Sequence, residues 1–127
     1  MNPNKYIFIF LAVIIFSCKE KDIAPRYYSN SKAVQLFKES KKANNDPLKT
    51  ILLEKALEEI ISEEDTIKPF IYDHLIYYNN KLRNYEQSLF YANALIENSS
   101  EIQDTAKLAL GFYRKAMVQK HLDNQLE

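Results

Sequence analysis

The sequence predicts an all-α protein, with antiparallel helical hairpins stacked in a short array of five helices behind an N-terminal apolar segment. Apolar residues recur at intervals of three and four in five separate stretches, which is the spacing of a helix face. The 127-residue chain has a single glycine, Gly111. Glycine supplies the positive φ angles of tight β-hairpins and phosphate-binding loops, so its near absence argues against β-hairpin folds and glycine-rich nucleotide sites.

The first 17 residues resemble a secretory signal peptide. Residues 1–5 are polar and include Lys5, and residues 6–16 form an unbroken apolar run of 11 residues. A membrane-spanning helix needs about 20 apolar residues, so this run is too short to span a bilayer. A charged start followed by a short apolar run is the pattern of a cleaved signal.

The end of this run resembles the lipobox of bacterial lipoproteins. Ile15 and Ser17 precede Cys18, the only cysteine, although Phe16 is bulkier than the usual residue before the small one. The resemblance implies that Cys18 becomes the new N-terminus and carries acyl chains such as palmitate. It also implies anchoring to a membrane of the cell envelope, facing the periplasm or the surface. The alternative is an unmodified cysteine behind an ordinary signal or short anchor.

Residues 18–29 are expected to tether the lipid to the body. The charged segment 19–22 follows Cys18 directly, and Pro25 interrupts any helix before residue 30. A second interpretation of the charged segment is a sorting tag that directs the lipoprotein between membranes. The globular body is therefore predicted to cover residues 30–127.

Five stretches of the body are predicted to be helices, at residues 30–44, 47–62, 68–82, 85–98 and 101–122. Short connections make successive helices antiparallel neighbours. Each helix carries an apolar stripe that needs a neighbour to cover it. In chain order, the predicted stripes consist of Ala33, Leu36, Phe37 and Ser40; of Leu53, Ala56, Leu57, Ile60 and Ile61; of Ile71, Leu75, Tyr78 and Leu82; of Tyr85, Leu89, Ala92 and Ile96; and of Ile102, Ala106, Ala109, Leu110, Tyr113 and Met117.

The helix starts have recognisable signals. Asp46 is predicted as an N-cap, with Pro47 at the first helical position. Pro69 falls in the first turn of the third helix, where its missing N–H costs little. The pairs Asn84 with Gln87 and Ser100 with Gln103 have capping-box spacing.

A motif at the predicted turns recurs along the chain. The segment 82–88 is followed 40 positions later by the similar segment 122–127. The turn at 44–50 lies 38 positions before the segment 82–88. A period near 40 that contains two helices indicates stacked helical hairpins. Asn124 would then begin another turn, so the stripe of the fifth helix is expected to lack a partner. This helix either caps the array or belongs to a longer protein.

The turn at 82–88 resembles the inter-helix turn of tetratricopeptide repeats. Tyr72 and Phe112 occupy the position of the family's first aromatic residue, and Ala116 occupies a small-residue position. The resemblance covers residues 30–127 and implies a protein-binding helical scaffold. It departs from the family in its longer period, in Ile76 at a small position and in the lack of the turn glycine. The alternative is a plain helical bundle. The turn residues that match the family are Leu82, Asn84, Tyr85, Glu86 and Ser88.

The composition argues against several classes of function. Residues 18–127 carry 16 positive and 17 negative side chains, without the clustered positive field that nucleic acid requires. His74 and His121 lack the spacing of metal ligands, so we expect neither metal nor cofactor. Acidic residues near the end of the second helix are expected to face solvent. The sequence has no nucleophile or phosphate-loop motif and is predicted not to be an enzyme.

The best candidates for partner contact are Tyr77, Asn80 and Lys81. They lie off the apolar stripe of the third helix, and the first helix of each stacked hairpin lines the concave face. Tyrosine is common at interface hot spots, although the alternative is aromatic packing between helices. We therefore expect an envelope-anchored scaffold that binds a protein or peptide. The rival hypotheses are a sensor region of a longer histidine kinase or transcription regulator, and an enzyme or accessory factor for carbohydrate capture.

Overall fold

The computed structural model describes residues 31–62 and 65–126, and all of its regular elements are helices. The predicted signal at 1–17, the lipidated Cys18 and the tether at 18–29 lie outside the described residues. The all-α fold class is confirmed. The five helices are α1 (Ser31–Lys42), α2 (Asp46–Glu58), α3 (Lys68–Lys81), α4 (Tyr85–Glu101) and α5 (Thr105–Leu126).

Consecutive helices pack as antiparallel neighbours. Between α3 and α4, the Ser88 hydroxyl donates a hydrogen bond to the Ile76 carbonyl at 3.1 Å. Ser88 is fully buried, so its small side chain lets the two backbones approach closely. Between α4 and α5, the ring of Tyr85 stacks on His121 with centroids 5.2 Å apart.

Alternate helices run parallel, and the residues that join them are separated by a nearly constant number of positions in the sequence. The Tyr91 hydroxyl donates to Glu54, 37 positions earlier, and joins α4 to α2. Phe37 meets His74 between α1 and α3 with the same offset. Between α3 and α5, Arg114 pairs with Asp73, 41 positions earlier. These contacts place α1, α3 and α5 in one layer and α2 and α4 in the other, and the predicted all-α array of packed adjacent helices is confirmed.

The core lies between the two layers. Its fully buried members come from the second, third, fourth and fifth helices, and Phe37 adds an aromatic ring from α1. Burying aliphatic side chains of this kind contributes about 1.5–3 kcal/mol each. The completely buried apolar side chains of the core are Leu53, Ala56, Ile71, Leu75, Ile76, Ala92, Leu95 and Val118.

Two turns of the array have the same backbone conformation. Arg83 and Gln103 have φ angles of 60° and 56°, although neither is glycine. In each turn the following N–H bonds the carbonyl five positions earlier, from Asn84 to Asn79 at 2.8 Å and from Asp104 to Ser99 at 2.9 Å. This is the left-handed C-cap that ends many helices. The two turns lie 20 positions apart, which is half of the period near 40 found in the sequence.

The helix caps differ in detail from the predictions. Asn45, not Asp46, caps α2, because its side chain accepts from the Leu48 N–H at 2.8 Å. Asp104 caps α5 by accepting from the Lys107 N–H at 2.9 Å, so the predicted Ser100–Gln103 capping box is wrong. Ser100 instead belongs to the last turn of α4. The side chain of Asn84 makes no capping bond, although α4 begins just after it.

The orientation of α5 was predicted wrongly. Gly111 and Val118 face the core, whereas Tyr113 of the predicted stripe is 59% exposed. Gly111 explains the difference, because a Cβ added there would lie 2.8 Å from Ile96 Cγ1, and its absence lets this face approach α4. Ala116 and Phe112 are also exposed, so they do not serve as the close-approach and aromatic packing positions.

The predicted turn at residues 122–124 is helical, since α5 continues to Leu126. Leu122 packs against the core, which keeps the last turns of α5 docked on the array. Ile61 lies beyond the end of α2 and is 94% exposed, so it is not part of the α2 stripe. Within residues 31–62 and 65–126, none of the helices combines the length and apolarity needed to cross a bilayer.

Candidate functional site

An apolar pocket of about 320 Å³ opens between α1 and α3, on the layer formed by the first helices of the hairpins. Val34, Phe37 and Lys41 lie on one face of α1 at helical spacing, and Phe70 and His74 lie one turn apart on α3. These two faces converge on the pocket. Its lining consists of Val34, Phe37, Lys38, Lys41, Ile67, Phe70 and His74.

The floor of the pocket is buried and apolar. Phe37 and Ile67 are 8% and 3% exposed, and both belong to the hydrophobic core. Ile67 precedes α3, where its N–H donates to the Asp65 carboxylate at 3.0 Å. This bond fixes the chain at the entry to α3 and so holds Ile67 in the pocket floor. Asp65 is 3% exposed, so the expectation that the acidic residues after α2 face solvent is wrong for Asp65.

His74 is held in one orientation at the pocket wall. Its Nδ1 lies 2.9 Å from the Phe70 carbonyl oxygen, and its ring meets Phe37 edge-on with centroids 5.1 Å apart. A carbonyl oxygen can only accept, so Nδ1 carries the proton and donates it to this bond. His74 therefore acts as a packing and orienting residue of the wall.

The rim of the pocket is cationic. Lys38 and Lys41 line it, and its lining includes no carboxylate from residues 31–62 or 65–126. The Lys41 ammonium lies 4.3 Å from the centre of the Phe37 ring, and the Lys107 ammonium of α5 lies 3.7 Å from that of Phe70. None of these three lysines forms an ion pair with another described residue. An anionic group beside the pocket would meet positive charge that the described residues do not neutralise.

A row of aromatic rings extends from the pocket along α3. The ring of His74 lies 6.3 Å from that of Tyr78, which in turn meets Tyr77 edge-on at 5.1 Å. Lysines also lie over these rings, with Lys49 4.9 Å from the centre of Tyr78 and Lys81 5.7 Å from that of Tyr77. We refer to the pocket together with this row of aromatic rings as the α1–α3 groove.

The positive charge at the far end of the row is partly neutralised, because two lysines share one carboxylate. Asp46 lies 2.7 Å from the Lys81 ammonium and 3.3 Å from that of Lys49. The hydrogen bond from Lys81 is the main cause that lowers the pKa of Asp46, and the same bond raises the pKa of Lys81. Both groups stay ionised at neutral pH, so the unpaired positive charge of the groove is concentrated at the pocket end.

The three residues predicted for partner contact have different environments. Tyr77 is 47% exposed and lies next to Lys81 in the aromatic row. The Asn80 carboxamide oxygen is buried and has no hydrogen-bond partner among the described residues. Tyr77 and Lys81 are thus accessible together, whereas the oxygen of Asn80 faces the protein interior.

The sequence reasoning missed the pocket itself. Phe37 was assigned only to a core stripe, and Lys38, Lys41 and Phe70 were not singled out. The repeat could have indicated these pocket residues. A residue of α1 faces the residue 37 positions later on α3, as Phe37 faces His74.

A second, larger depression of about 630 Å³ lies between α2, the α3–α4 turn and the end of α5. Its lining is polar, and one of its carboxylates, Glu54, accepts a hydrogen bond from the Tyr91 hydroxyl at 3.0 Å. Burial raises the pKa of Tyr91 to about 12. The depression lacks the apolar floor that ordinarily supplies binding free energy, and for this reason we favour the smaller pocket.

The described residues contain no group of three or more side chains that could hold a metal ion. The chemistry that the α1–α3 groove offers is binding, by an apolar floor, aromatic edges and ammonium groups. Comparison with known proteins finds no matching family model, no similar curated protein and no similar solved structure.

Proposed function

We propose that this chain is an envelope-anchored lipoprotein that acts as a protein-binding helical scaffold. The observation that carries the binding part is the α1–α3 groove, where an apolar pocket with a buried floor lies beside lysines without ion-pair partners among the described residues. A solvent-open apolar pocket with a few polar groups at its rim is the usual form of a binding site.

The anchoring part rests on the sequence. The apolar run at 6–16 and the lipobox-like segment before Cys18 support export and acylation. Acyl chains on Cys18 would hold the scaffold at a membrane, with residues 19–30 between the lipid and α1. Binding then takes place close to the membrane surface, and the protein needs no catalytic group of its own.

The tetratricopeptide-like character of the scaffold is supported by two features. Contacts between alternate helices join residues that lie 37 to 41 positions apart in the sequence. The small residue Ser88 lies where α4 crosses closest to the Ile76 carbonyl of α3, as the resemblance implies. We therefore propose a divergent array of this class, with the groove on the layer of α1, α3 and α5.

Photo-crosslinking in the native cells tests the binding function. A photoreactive amino acid at Lys38, beside the pocket, should give one or a few discrete protein adducts. The same amino acid at Lys55, an exposed position of α2 outside the groove, should not. The absence of protein adducts at Lys38, or the same adducts at both positions, would contradict a partner-binding groove.

A second candidate is the sensor region of a longer signalling protein, such as a histidine kinase or transcription regulator. It is favoured by the outer face of α5, where Phe112, Tyr113 and Met117 are 57%, 59% and 36% exposed. A contiguous apolar face of this kind usually has a partner, and a further hairpin of the same array would cover it. The mass of the native protein distinguishes the two candidates.

A further inference from the structure

We propose that the α1–α3 groove binds an extended peptide segment in which one aromatic or aliphatic side chain is flanked by carboxylates. This inference rests on the proposed scaffold function and specifies the chemistry of its partner. It is carried by three properties of the groove: the size of the pocket, the distribution of unpaired charge and the length of the aromatic row.

The pocket accepts one large apolar side chain. Its volume of about 320 Å³ is at the lower end of the roughly 300–1,000 Å³ range of ligand pockets. Phe37, Ile67 and Phe70 present apolar surface, and the first two are held by the core. A buried aromatic or aliphatic anchor in such a pocket is the usual centre of a peptide interface.

The charge at the rim selects carboxylates beside that anchor. Lys38, Lys41 and Lys107 have no carboxylate partner among the described residues. Lys41 and Lys107 lie against the rings of Phe37 and Phe70, so their ammonium groups are placed at the edges of the apolar surface. A peptide with acidic residues on both sides of the anchor would pair with them, whereas a basic segment would be repelled.

The length of the groove favours an extended chain over a compact anion. From Phe70 to Lys81 the row follows most of α3, which at 1.5 Å per residue is about 16 Å. An extended peptide covers that length with about five residues. Because Lys49 and Lys81 are already paired with Asp46, the acidic residues of the ligand belong at the Lys38–Lys41 end.

Peptide binding to the full chain tests the inference. The chain is reconstituted in phosphatidylcholine nanodiscs, and the probe is a fluorescein-labelled peptide, Ser-Glu-Asp-Phe-Glu-Asp-Ser. We expect a dissociation constant of about 10–100 μM. The peptide with Gln and Asn in place of the acids should bind at least about fivefold more weakly, and added salt should weaken the acidic peptide more than the neutral one. Replacing the Phe of the probe by Ser should remove binding.

Two variants of the groove test the assignment of the site. Lys38→Gln with Lys41→Gln should weaken the acidic peptide about fivefold and leave the neutral peptide unchanged. Val34→Phe should weaken both peptides, because the larger side chain fills the pocket while both rim lysines remain. The matched control is Lys55→Gln with Lys120→Gln, which removes the same charge from exposed positions outside the pocket. Circular dichroism confirms that each variant keeps its helices.

Several results would overturn the inference. Binding of the acidic peptide that is unaffected by the groove variants places the site elsewhere. No peptide binding, together with groove-specific crosslinks at Lys38 in cells, leaves the scaffold in place but refutes the acid-flanked ligand. Tight binding of decanoate without peptide binding or cellular crosslinks assigns the pocket to an acyl chain and refutes the scaffold as well. A synthetic peptide of residues 19–30 that binds more tightly than the probe assigns the groove to the chain's own tether.

Discussion

Gly111 determines which face of α5 meets α4. Replacing glycine by alanine inside a helix ordinarily stabilises it by about 1 kcal/mol. Here a Cβ would lie 2.8 Å from Ile96 Cγ1 and 3.3 Å from the Ile96 backbone nitrogen. Overpacking of this kind costs about 1–3 kcal/mol, so the steric effect outweighs the helix propensity.

We therefore expect Gly111→Ala to lower the free energy of unfolding by about 1 kcal/mol, measured by urea denaturation. In an Ile96→Ala background the Cγ1 atom is gone and only the longer contacts to the backbone of residue 96 remain, so the same Gly111→Ala change should destabilise the protein less. The same destabilisation in both backgrounds would show that α5 does not approach α4 at this position.

Tyr91 should have an unusual titration. It is 6% exposed, and burial raises its pKa from the ordinary value of 10.0 to about 12. Since the folded state holds this proton more tightly than the unfolded state does, the associated stability is present below pH 10 and is lost as the pH rises towards about 12. The phenolate absorbance of the native protein should therefore include a late step near pH 12.

The Tyr91→Phe variant should lack this late step, and its stability should fall less steeply above pH 10. Tyr77→Phe is the matched control, because Tyr77 is 47% exposed and the late step should survive its removal. A late step that persists in Tyr91→Phe would contradict the burial of this phenol between α2 and α4.

At the scale of the helices, an ion pair joins α3 and α5. The Arg114 guanidinium donates to Asp73 at 2.7 and 3.4 Å, and the two side chains are 24% and 21% exposed. Because water still reaches both groups, we expect a coupling free energy of only about 1 kcal/mol. A double-mutant cycle with Arg114→Gln and Asp73→Asn measures it, and 1 M salt should reduce it.

The control cycle combines Arg114→Gln with Glu39→Gln on α1, a carboxylate without a contact to Arg114. These two changes should be additive within about 0.5 kcal/mol. Equal coupling in both cycles would mean that the Arg114–Asp73 contact contributes nothing specific to the docking of α5.

The positions of the helices could be predicted from the sequence, but their faces only in part. Helical spacing and proline positions placed all five helices near their observed bounds, and Leu53, Ala56 and Leu75 are buried as predicted. For α5 the apolar spacing was ambiguous, because Ala109 and Tyr113 form a stripe as regular as that of Gly111 and Val118. The face of α5 that meets α4 is decided by the missing Cβ of Gly111, and a pattern of hydrophobic side chains does not reveal that effect.

The candidate site was less predictable than the fold. Tyr77 and Lys81 were identified from one helix alone and do lie together in the groove. The pocket requires residues from α1 and α3 at once, and a contact between helices that are not neighbours in sequence follows only from the stacking offset. The C-cap turns at Arg83 and Gln103 could not be predicted from the sequence either, because neither position is the glycine that usually marks such a turn.

The whole molecule combines an apolar groove that has a cationic rim with a proposed lipid anchor. The groove occupies one layer of the array, and Cys18 lies 13 positions before the first residue of α1. A chain of that length spans at most about 45 Å when fully extended. The tether would therefore keep the groove within a few tens of ångströms of the membrane, where envelope proteins would be its partners.

The intact mass of the protein extracted with detergent from its native cells tests this arrangement most directly. We expect a mass equal to residues 18–127 plus acyl chains, with the acyl increment lost in Cys18→Ser. A much larger mass would favour the longer signalling protein. An unacylated species that still carries residues 1–17 would contradict the lipoprotein.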